Sequence, residues 1–210
     1  MAEELSPPPN FALLAAMFEG SLSAVAVAAG GLLGRPPMQT LQLNPTALAL
    51  GAVAVLPMLA LLGLCVWVPY RPFSDVMGAA DRMVAPLFRS CSLLEMAVIA
   101  LLAGLGEEML FRGVLQATLA DWARGMLHAP AAAGATADYL ALAAVTVLFG
   151  LLHAANAGYA FLAGLVGLYL GWLWLATANL TLPITAHALY DFLALVYLVR
   201  LRKPRPVTLL

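Results

Sequence analysis

Charged residues are scarce in this sequence. Asp, Glu, Lys and Arg make up 10% of its 210 residues, whereas 63% are hydrophobic, and the formal net charge is −1. Soluble domains are about 25% charged and about 45–50% apolar. The composition therefore excludes an ordinary soluble protein and predicts an integral membrane protein in contact with the lipid bilayer. A basic stripe is also missing outside a short C-terminal tail, which argues against nucleic acid as a partner.

A cysteine framework and a cleavable leader are also lacking. Cys65 and Cys91 both lie in or beside apolar runs. Two such residues form neither a disulfide framework nor a zinc knuckle, so we expect both to be packing residues. The N-terminal segment 1–10 has no basic n-region and no small-residue cleavage site. We therefore expect the first apolar run to remain in the protein as a membrane anchor.

Long apolar runs are abundant, and a transmembrane helix needs roughly 20 mostly apolar residues. The candidate spans are residues 11–33, 46–68, 91–119, 139–155, 159–178 and 182–200. They predict an all-α fold, a polytopic transmembrane helical bundle of about six membrane-spanning helices. The length fits one membrane-embedded domain over residues 1–210, with a motif-bearing core at 90–200.

Two connecting segments have distinct patterns. Residues 69–90 interleave apolar side chains with aspartate and arginine, which predicts an amphipathic interfacial helix that ends or kinks near Pro86. Residues 121–138 are expected to form the longest remaining loop, with His128 as a surface residue. In the fifth span, Gly167 and Gly171 stand four apart, the spacing that lets membrane helices pack closely.

The distribution of Lys and Arg predicts the orientation of the chain. With six spans, one side carries Arg71, Arg82, Arg89, Arg200, Arg202, Lys203 and Arg205, and the other carries Arg35 and Arg124. Because basic residues favour the cytoplasmic side, we expect both termini in the cytoplasm.

Ionisable residues inside the apolar runs are the most informative feature, because each costs about 2.5–3.5 kcal/mol at the bilayer centre on insertion scales. They are Glu19, Glu95, Glu107, Glu108, Arg112, His153, His187 and Asp191. Glu19 and Glu95 are lone carboxylates, and each is as consistent with helix packing or an interface position as with a site. The other six fall into groups.

The segment LAGLGEEMLFRG (102–113) holds the first group. Glu108 and Arg112 are four apart, so they share a helix face and can pair within the helix. Glu107 points about 100° away around the helix and stays available. Taken alone, this pattern is equally consistent with a structural ion pair.

The second and third groups lie on later helices. His153 ends FGLLH in the fourth span, and His187 and Asp191 stand four apart in HALYD of the sixth span, so they face the same way. Lipid offers no hydrogen-bond partner, so these side chains are expected to point into the bundle or to meet each other.

The chemistry that such a set supports is activation of a water molecule. A carboxylate in a low-dielectric site is a usable general base, and a histidine beside it can share the attacking water. A second histidine can donate a hydrogen bond to the oxyanion of an attacked carbonyl. No serine or cysteine occupies a convincing nucleophile position, so the set favours amide hydrolysis without an acyl-enzyme. No cofactor is predicted.

Two other interpretations stay open. Glu, His and Asp are competent zinc ligands, but HExxH is absent and no two histidines share a helix turn, so a zinc-dependent membrane metalloprotease is the weaker reading and no metal is predicted. A buried polar cluster can also serve a non-proteolytic membrane scaffold.

EEMLFR (107–112), FGLLH (149–153) and HALYD (187–191) resemble the EExxxR, FxxxH and HxxxN/D motifs of the CPBP family. That family includes type II CAAX prenyl proteases and bacteriocin-processing enzymes, often described as glutamic intramembrane proteases, and some members are associated with bacteriocin immunity. The resemblance covers roughly residues 90–200. It implies Glu107 as the water-activating base, His153 as its helper, and His187 and Asp191 as the oxyanion site, with Glu108 and Arg112 in support.

One position departs from the family that the chain resembles. The well-studied prenyl proteases of that family carry asparagine where this chain has Asp191. An ionised aspartate cannot donate to an oxyanion. Either Asp191 stays protonated, or it accepts a hydrogen bond from His187 and fixes the tautomer of that ring. The spacing of four residues favours the second option.

The expected substrate is a membrane-associated peptide or protein. A prenylated CAAX tail, a leader peptide and a C-terminal sorting tail all fit the resemblance. The Ala/Gly/Pro-rich composition suggests a bacterial cytoplasmic (inner) membrane, where prenylated proteins are not expected, so processing of a bacterial peptide or membrane-anchored tail is preferred. The sequence predicts no oligomeric state.

Overall fold

The computed structural model describes residues 7–127 and 134–202, and its elements there are helices without a β-strand. In chain order they are α1 (Phe11–Leu32), α2 (Pro45–Trp67), α3 (Arg71–Phe88), α4 (Leu93–Met126), α5 (Gly134–Leu152), α6 (Ala157–Thr177) and α7 (Thr181–Leu201). A short 3₁₀ turn, Pro37–Thr40, lies between α1 and α2.

The helices form a polytopic membrane bundle. α1, α2, α5, α6 and α7 are long and apolar enough to cross a membrane, and α3 with α4, joined at a bend of 116°, brings the number of candidate spans to six. Large apolar side chains point outward, for example Phe18 and Phe161, which are 64% and 67% exposed, as expected of lipid-facing positions. The predicted all-α membrane fold is confirmed. That residues 1–210 form one domain stays a prediction.

α3 is the amphipathic helix expected before the third span. It buries Val76 and Met77 against the bundle. The expected break near Pro86 takes the form of a π-helical segment, Ala80–Val84, which ends two residues before the proline. Because proline lacks an N–H and crowds the preceding turn, the widened turn accommodates it, and the helix continues to Phe88.

α4 is the long central helix that carries the charged segment. It begins at a capping box in which the backbone N–H of Ser92 donates to Glu95 Oε2 at 2.7 Å and the N–H of Glu95 donates to Ser92 Oγ at 3.2 Å. Glu95 is therefore a helix cap. Farther along, the backbone widens into a π-helical segment, Met109–Gln116.

The loop predicted over residues 121–138 is wrong at both ends. α4 continues to Met126, and α5 begins at Gly134; His128 lies outside the described residues. The charged residues of this stretch are ion-paired on these helices. Arg124 contacts Asp121 at 2.7 Å and also pairs with Asp138, while Arg35 pairs with Asp121 from the end of α1.

Glycines set the helix spacing around the charged segment. A Cβ at Gly104 would lie 2.9 Å from the backbone N of Ala188 on α7, and a Cβ at Gly106 would lie 2.6 Å from the carbonyl oxygen of Glu19 on α1. The backbone of α4 is thus held close to α7 at Gly104 and close to α1 at Gly106. The close packing predicted for α6 is confirmed: a Cβ at Gly167 would lie 3.0 Å from the Phe149 ring on α5.

Asn179 fixes the start of α7. Its Oδ1 accepts hydrogen bonds from the backbone N–H groups of Gln42 and Thr181 at 3.1 and 3.0 Å, and its Nδ2 donates to the Gln42 carbonyl at 3.1 Å. The connection between α1 and α2 is thereby joined to the helix that carries HALYD.

Candidate active site

The predicted pair on α4 is formed and lies deep in the bundle. Arg112 Nη1 donates to Glu108 Oε1 at 2.9 Å, and neither side chain is exposed. The second guanidinium nitrogen, Nη2, donates to the carbonyl of Gly167 at 2.8 Å, and the Phe149 ring lies 4.8 Å from the guanidinium carbon. A buried charge needs a partner of opposite sign and filled hydrogen-bond positions, and these contacts supply both.

His187 extends this pair across to α7. Its Nδ1 lies 2.8 Å from Glu108 Oε1, whereas its Nε2 lies 3.4 Å from Asp191 Oδ2. That Asp191 fixes the tautomer of this ring stays a prediction, and the shorter contact, to Glu108, was not expected. The reason is the packing at Gly104, which brings α4 and α7 close enough for a contact that residue spacing on α7 alone does not reveal.

Glu107 and His153 form a separate pair on the cavity side. The Oε2 of Glu107 lies 3.7 Å from the Nε2 of His153. At the end of α5, His153 Nδ1 lies 2.8 Å from the carbonyl of Phe149. A carbonyl only accepts, so Nδ1 carries the hydrogen. Phe149 also stacks on the imidazole at a centroid distance of 4.3 Å, so both the orientation and the tautomer of His153 are fixed.

These groups face one cavity of about 300 Å³. Glu107, His153, His187 and Asp191 line it, whereas Glu108 and Arg112 lie behind its wall. The structure thus brings together all six residues selected from the sequence, in two layers. The inner layer faces the cavity and consists of Glu107, His153, His187 and Asp191. The outer layer consists of Glu108 and Arg112, and Glu108 contacts His187.

Three features of the site were not identified from the sequence. Glu19 of α1, one of the lone carboxylates, also lines the cavity. α3 closes one end of it, through side chains that include Val76, Met77 and Val84. The third feature is the pair of glycines that position α4, Gly104 and Gly106. In the sequence they are visible as the alternating glycines of LAGLGEE.

The cysteines and the other side chains that could bind a metal bear on the zinc interpretation. Cys65 lines the cavity and Cys91 is buried near the start of α4, and both are free thiols. Over residues 7–127 and 134–202, no three His, Cys, Asp or Glu side chains are grouped as metal ligands.

A family model described as type II CAAX prenyl endopeptidase Rce1-like matches residues 89–193, half of the chain, and this range contains every motif residue discussed above. The chain belongs to the Rce1-like family. Membership confirms the resemblance seen in the motifs, since the Rce1-like family is consistent with the CPBP family. It is a family of peptidases.

The chain is also similar to an uncharacterized Bacillus subtilis (strain 168) protein, YpbD. The two are 29% identical over 140 residues, which cover 67% of this Rce1-like chain and 62% of the relative. The chain therefore spans less than two thirds of that relative's length. No solved structure matches the chain.

Proposed function

We propose that the protein is an intramembrane endopeptidase that hydrolyses a peptide bond in a membrane-associated protein or peptide with an activated water. The observation that carries this proposal is the Glu107–His153 pair. Glu107 and His153, from different helices, line one cavity, and their acceptor atoms Oε2 and Nε2 stand 3.7 Å apart. Since neither atom has a hydrogen to give the other when the imidazole is neutral, the pair is suited to receive both hydrogens of one water.

A water held in this way presents its lone pair to a substrate carbonyl. Attack forms the carbon–oxygen bond while one proton passes to Glu107, which acts as the general base. His153 holds the other hydrogen and keeps the water oriented. The apolar lining around the pair strengthens these interactions, because a low dielectric screens them less than water does.

The oxyanion that results is assigned to His187. Both of its nitrogens face carboxylate oxygens, which only accept, so the ring makes both contacts as an imidazolium. Glu108 and Arg112 hold Nδ1 from behind the wall, and Nε2–H is the donor left for the oxyanion. Asp191, at 3.4 Å, completes the charge balance around the ring.

The topology that we propose places both termini and α3 on the cytoplasmic side. Arg202 donates to Asp81 at 2.6 Å, so the end of α7 and the interfacial helix meet at one face. Arg35 and Arg124, expected on the opposite side, are both joined to Asp121. α3 lines one end of the cavity, so that end of the site lies on the proposed cytoplasmic side.

The substrate class follows from the setting. A bacterial cytoplasmic membrane is supported by the composition and by the similarity to a Bacillus subtilis protein. We propose a bacterial leader peptide or a membrane-anchored tail as the substrate rather than a prenylated CAAX tail.

The test compares peptide termini across the membrane proteome of the native host in two strains. One expresses the intact protein and the other expresses Glu107→Gln at a matched level. Loss of a few defined termini in the variant is expected, and those termini identify the substrate. If no terminus changes, the protein is not a protease under these conditions and the scaffold or immunity interpretation takes its place. Loss of the same cleavage on chelation, together with stoichiometric zinc in the purified protein, would favour the metalloprotease instead.

A further inference from the structure

Glu19 is a half-buried carboxylate that the mechanism above does not use. It is the charged residue of α1, and it stands well inside that apolar helix. Its Oε2 is buried and has no hydrogen-bond partner among the described residues. A helix that needed this residue for packing alone would pair it, because an unpaired polar atom in a membrane bundle carries a free-energy cost.

The position of Glu19 is set by the tightest contact between α1 and α4. The Cβ that Gly106 lacks would lie 2.6 Å from the Glu19 carbonyl oxygen, so Glu19 stands directly opposite the residue before Glu107. It lines the same cavity as Glu107, His153, His187 and Asp191. The side chain thus faces the reacting groups already described.

The protonation expected of Glu19 follows from its neighbours. When two carboxyl groups share one cavity, one of them tends to stay protonated, because two negative charges at short range repel each other. No Lys or Arg is found among the cavity-lining residues in the described part of the chain. Glu107 has to be ionised to act as the base, so we assign the shared proton to Glu19.

The reaction needs such a group. When the carbon–nitrogen bond breaks, the leaving amine must take up a proton. At that stage Glu107 carries the proton taken from the water, and Glu19 lines the same cavity as a second carboxyl group, while His187 with Asp191 serves the oxyanion. The other proton-bearing side chains of the wall, Tyr159, Tyr190 and Cys65, are much weaker acids than a carboxyl group.

We propose that Glu19 is a further catalytic residue, the general acid that protonates the leaving amine. Water loses one proton to Glu107 as it bonds to the carbonyl carbon; the carbon–nitrogen bond then breaks as Glu19 gives its proton to the nitrogen. Transfer of the proton from Glu107 to Glu19 restores both groups, and the net change is one water consumed and one peptide bond broken. This assignment rests on the proposed peptidase function.

The test uses the full-length protein in liposomes and two synthetic substrates. One is the peptide that spans a Glu107-dependent terminus; the other is its thioester analogue, in which sulfur replaces the leaving nitrogen. A thiolate leaves without a proton, so it does not need a general acid. Glu19→Gln is expected to lower kcat on the peptide by about 10²-fold or more and on the thioester by less than about 10-fold, with KM unchanged on both.

Matched variants separate this role from others. Glu107→Gln is expected to slow both substrates, because attack by water still needs the base. Glu19→Asp is expected to recover part of the peptide activity, and Glu95→Gln, the same change in a helix cap, to leave both rates unchanged.

Equal loss on peptide and thioester would assign Glu19 a structural role and overturn the proposal. Full peptide activity in Glu19→Gln while Glu107→Gln is inactive would also overturn it. Absence of any Glu107-dependent cleavage would overturn the proposed function together with this assignment.

Discussion

The Nδ1 of His187 lies 2.8 Å from Oε1 of Glu108, the same oxygen that accepts from Arg112 at 2.9 Å. A single carboxylate oxygen therefore joins a cation of its own helix to an imidazole of another helix. Because Glu108 and Arg112 are fully buried, this contact lies behind the cavity wall and orients His187 from outside the reaction space.

Glu108→Gln is expected to destabilise the fold strongly. The change removes the negative charge between Arg112 and His187 and leaves the buried guanidinium without an anion, which costs about 3–5 kcal/mol in comparable buried pairs. Unfolding of the purified protein in detergent, followed by heating, measures the loss. Glu95→Gln is the control, since glutamine also completes a capping box and a surface change stays within about 0.5 kcal/mol. Equal stability of the two variants would contradict the role given to Glu108.

His153 offers a matched pair of substitutions. Asparagine places an amide near Nδ1 and can keep the hydrogen bond to the Phe149 carbonyl, but it has nothing at the Nε2 position. Glutamine reaches toward Glu107 and can still orient a water. We expect His153→Asn to lower the cleavage rate by about 10²–10⁴-fold and His153→Gln to lower it less.

The rate measurement uses the peptide defined by the Glu107-dependent terminus. Both variants are expected to fold normally, because the His153 side chain is 34% exposed and leaves no buried void. Similar rates for the two variants would show that the Nε2 position does not hold the water.

Asp191→Asn is expected to keep activity within about tenfold of the intact protein. Glu108 holds Nδ1 of His187 at 2.8 Å, so the ring orientation does not depend on Asp191, and an asparagine amide adds a donor beside Nε2. Single-turnover rates with the same peptide test this. Near-complete loss of activity in a folded Asp191→Asn protein would mean that the carboxylate itself is required.

Contacts within one helix were predictable from the sequence, whereas contacts between helices were not. The spacing of four residues predicted the Glu108–Arg112 pair and placed Asp191 beside His187, because α-helical geometry alone fixes those neighbours. The Glu108–His187 contact depends on how closely α4 and α7 approach, which Gly104 decides through tertiary packing. Residue spacing along the chain does not give the distance between two helices.

The two lone carboxylates show the same limit. Glu95 and Glu19 were equivalent in the sequence, as single acids in apolar surroundings. The structure makes Glu95 a helix cap, for which Ser92 three residues earlier was a readable signal. Glu19 faces the cavity because α1 packs on α4 at Gly106, and nothing in α1 itself predicts that arrangement.

Gly106→Ala is expected to impair both stability and cleavage. The added methyl group would lie 2.6 Å from the carbonyl oxygen of Glu19, which is backbone and cannot rotate away, so α1 and α4 must move apart. Such overpacking costs about 1–3 kcal/mol. The displacement also shifts Glu19 and Glu107 relative to each other, and a misplacement of about 1 Å can lower a rate by about 10²-fold.

Gly31→Ala is the control for this change, since it adds the same methyl group to α1 where nothing lies within 4 Å. Replacing a helical glycine in open space is expected to leave the cleavage rate unchanged and to raise stability by up to about 1 kcal/mol. Heat-induced unfolding in detergent and the cleavage rate of the same peptide are measured for both variants. A Gly106→Ala protein that matches Gly31→Ala in both measurements would mean that α1 does not need its close approach to α4, and the cavity-facing position of Glu19 would lose its structural basis.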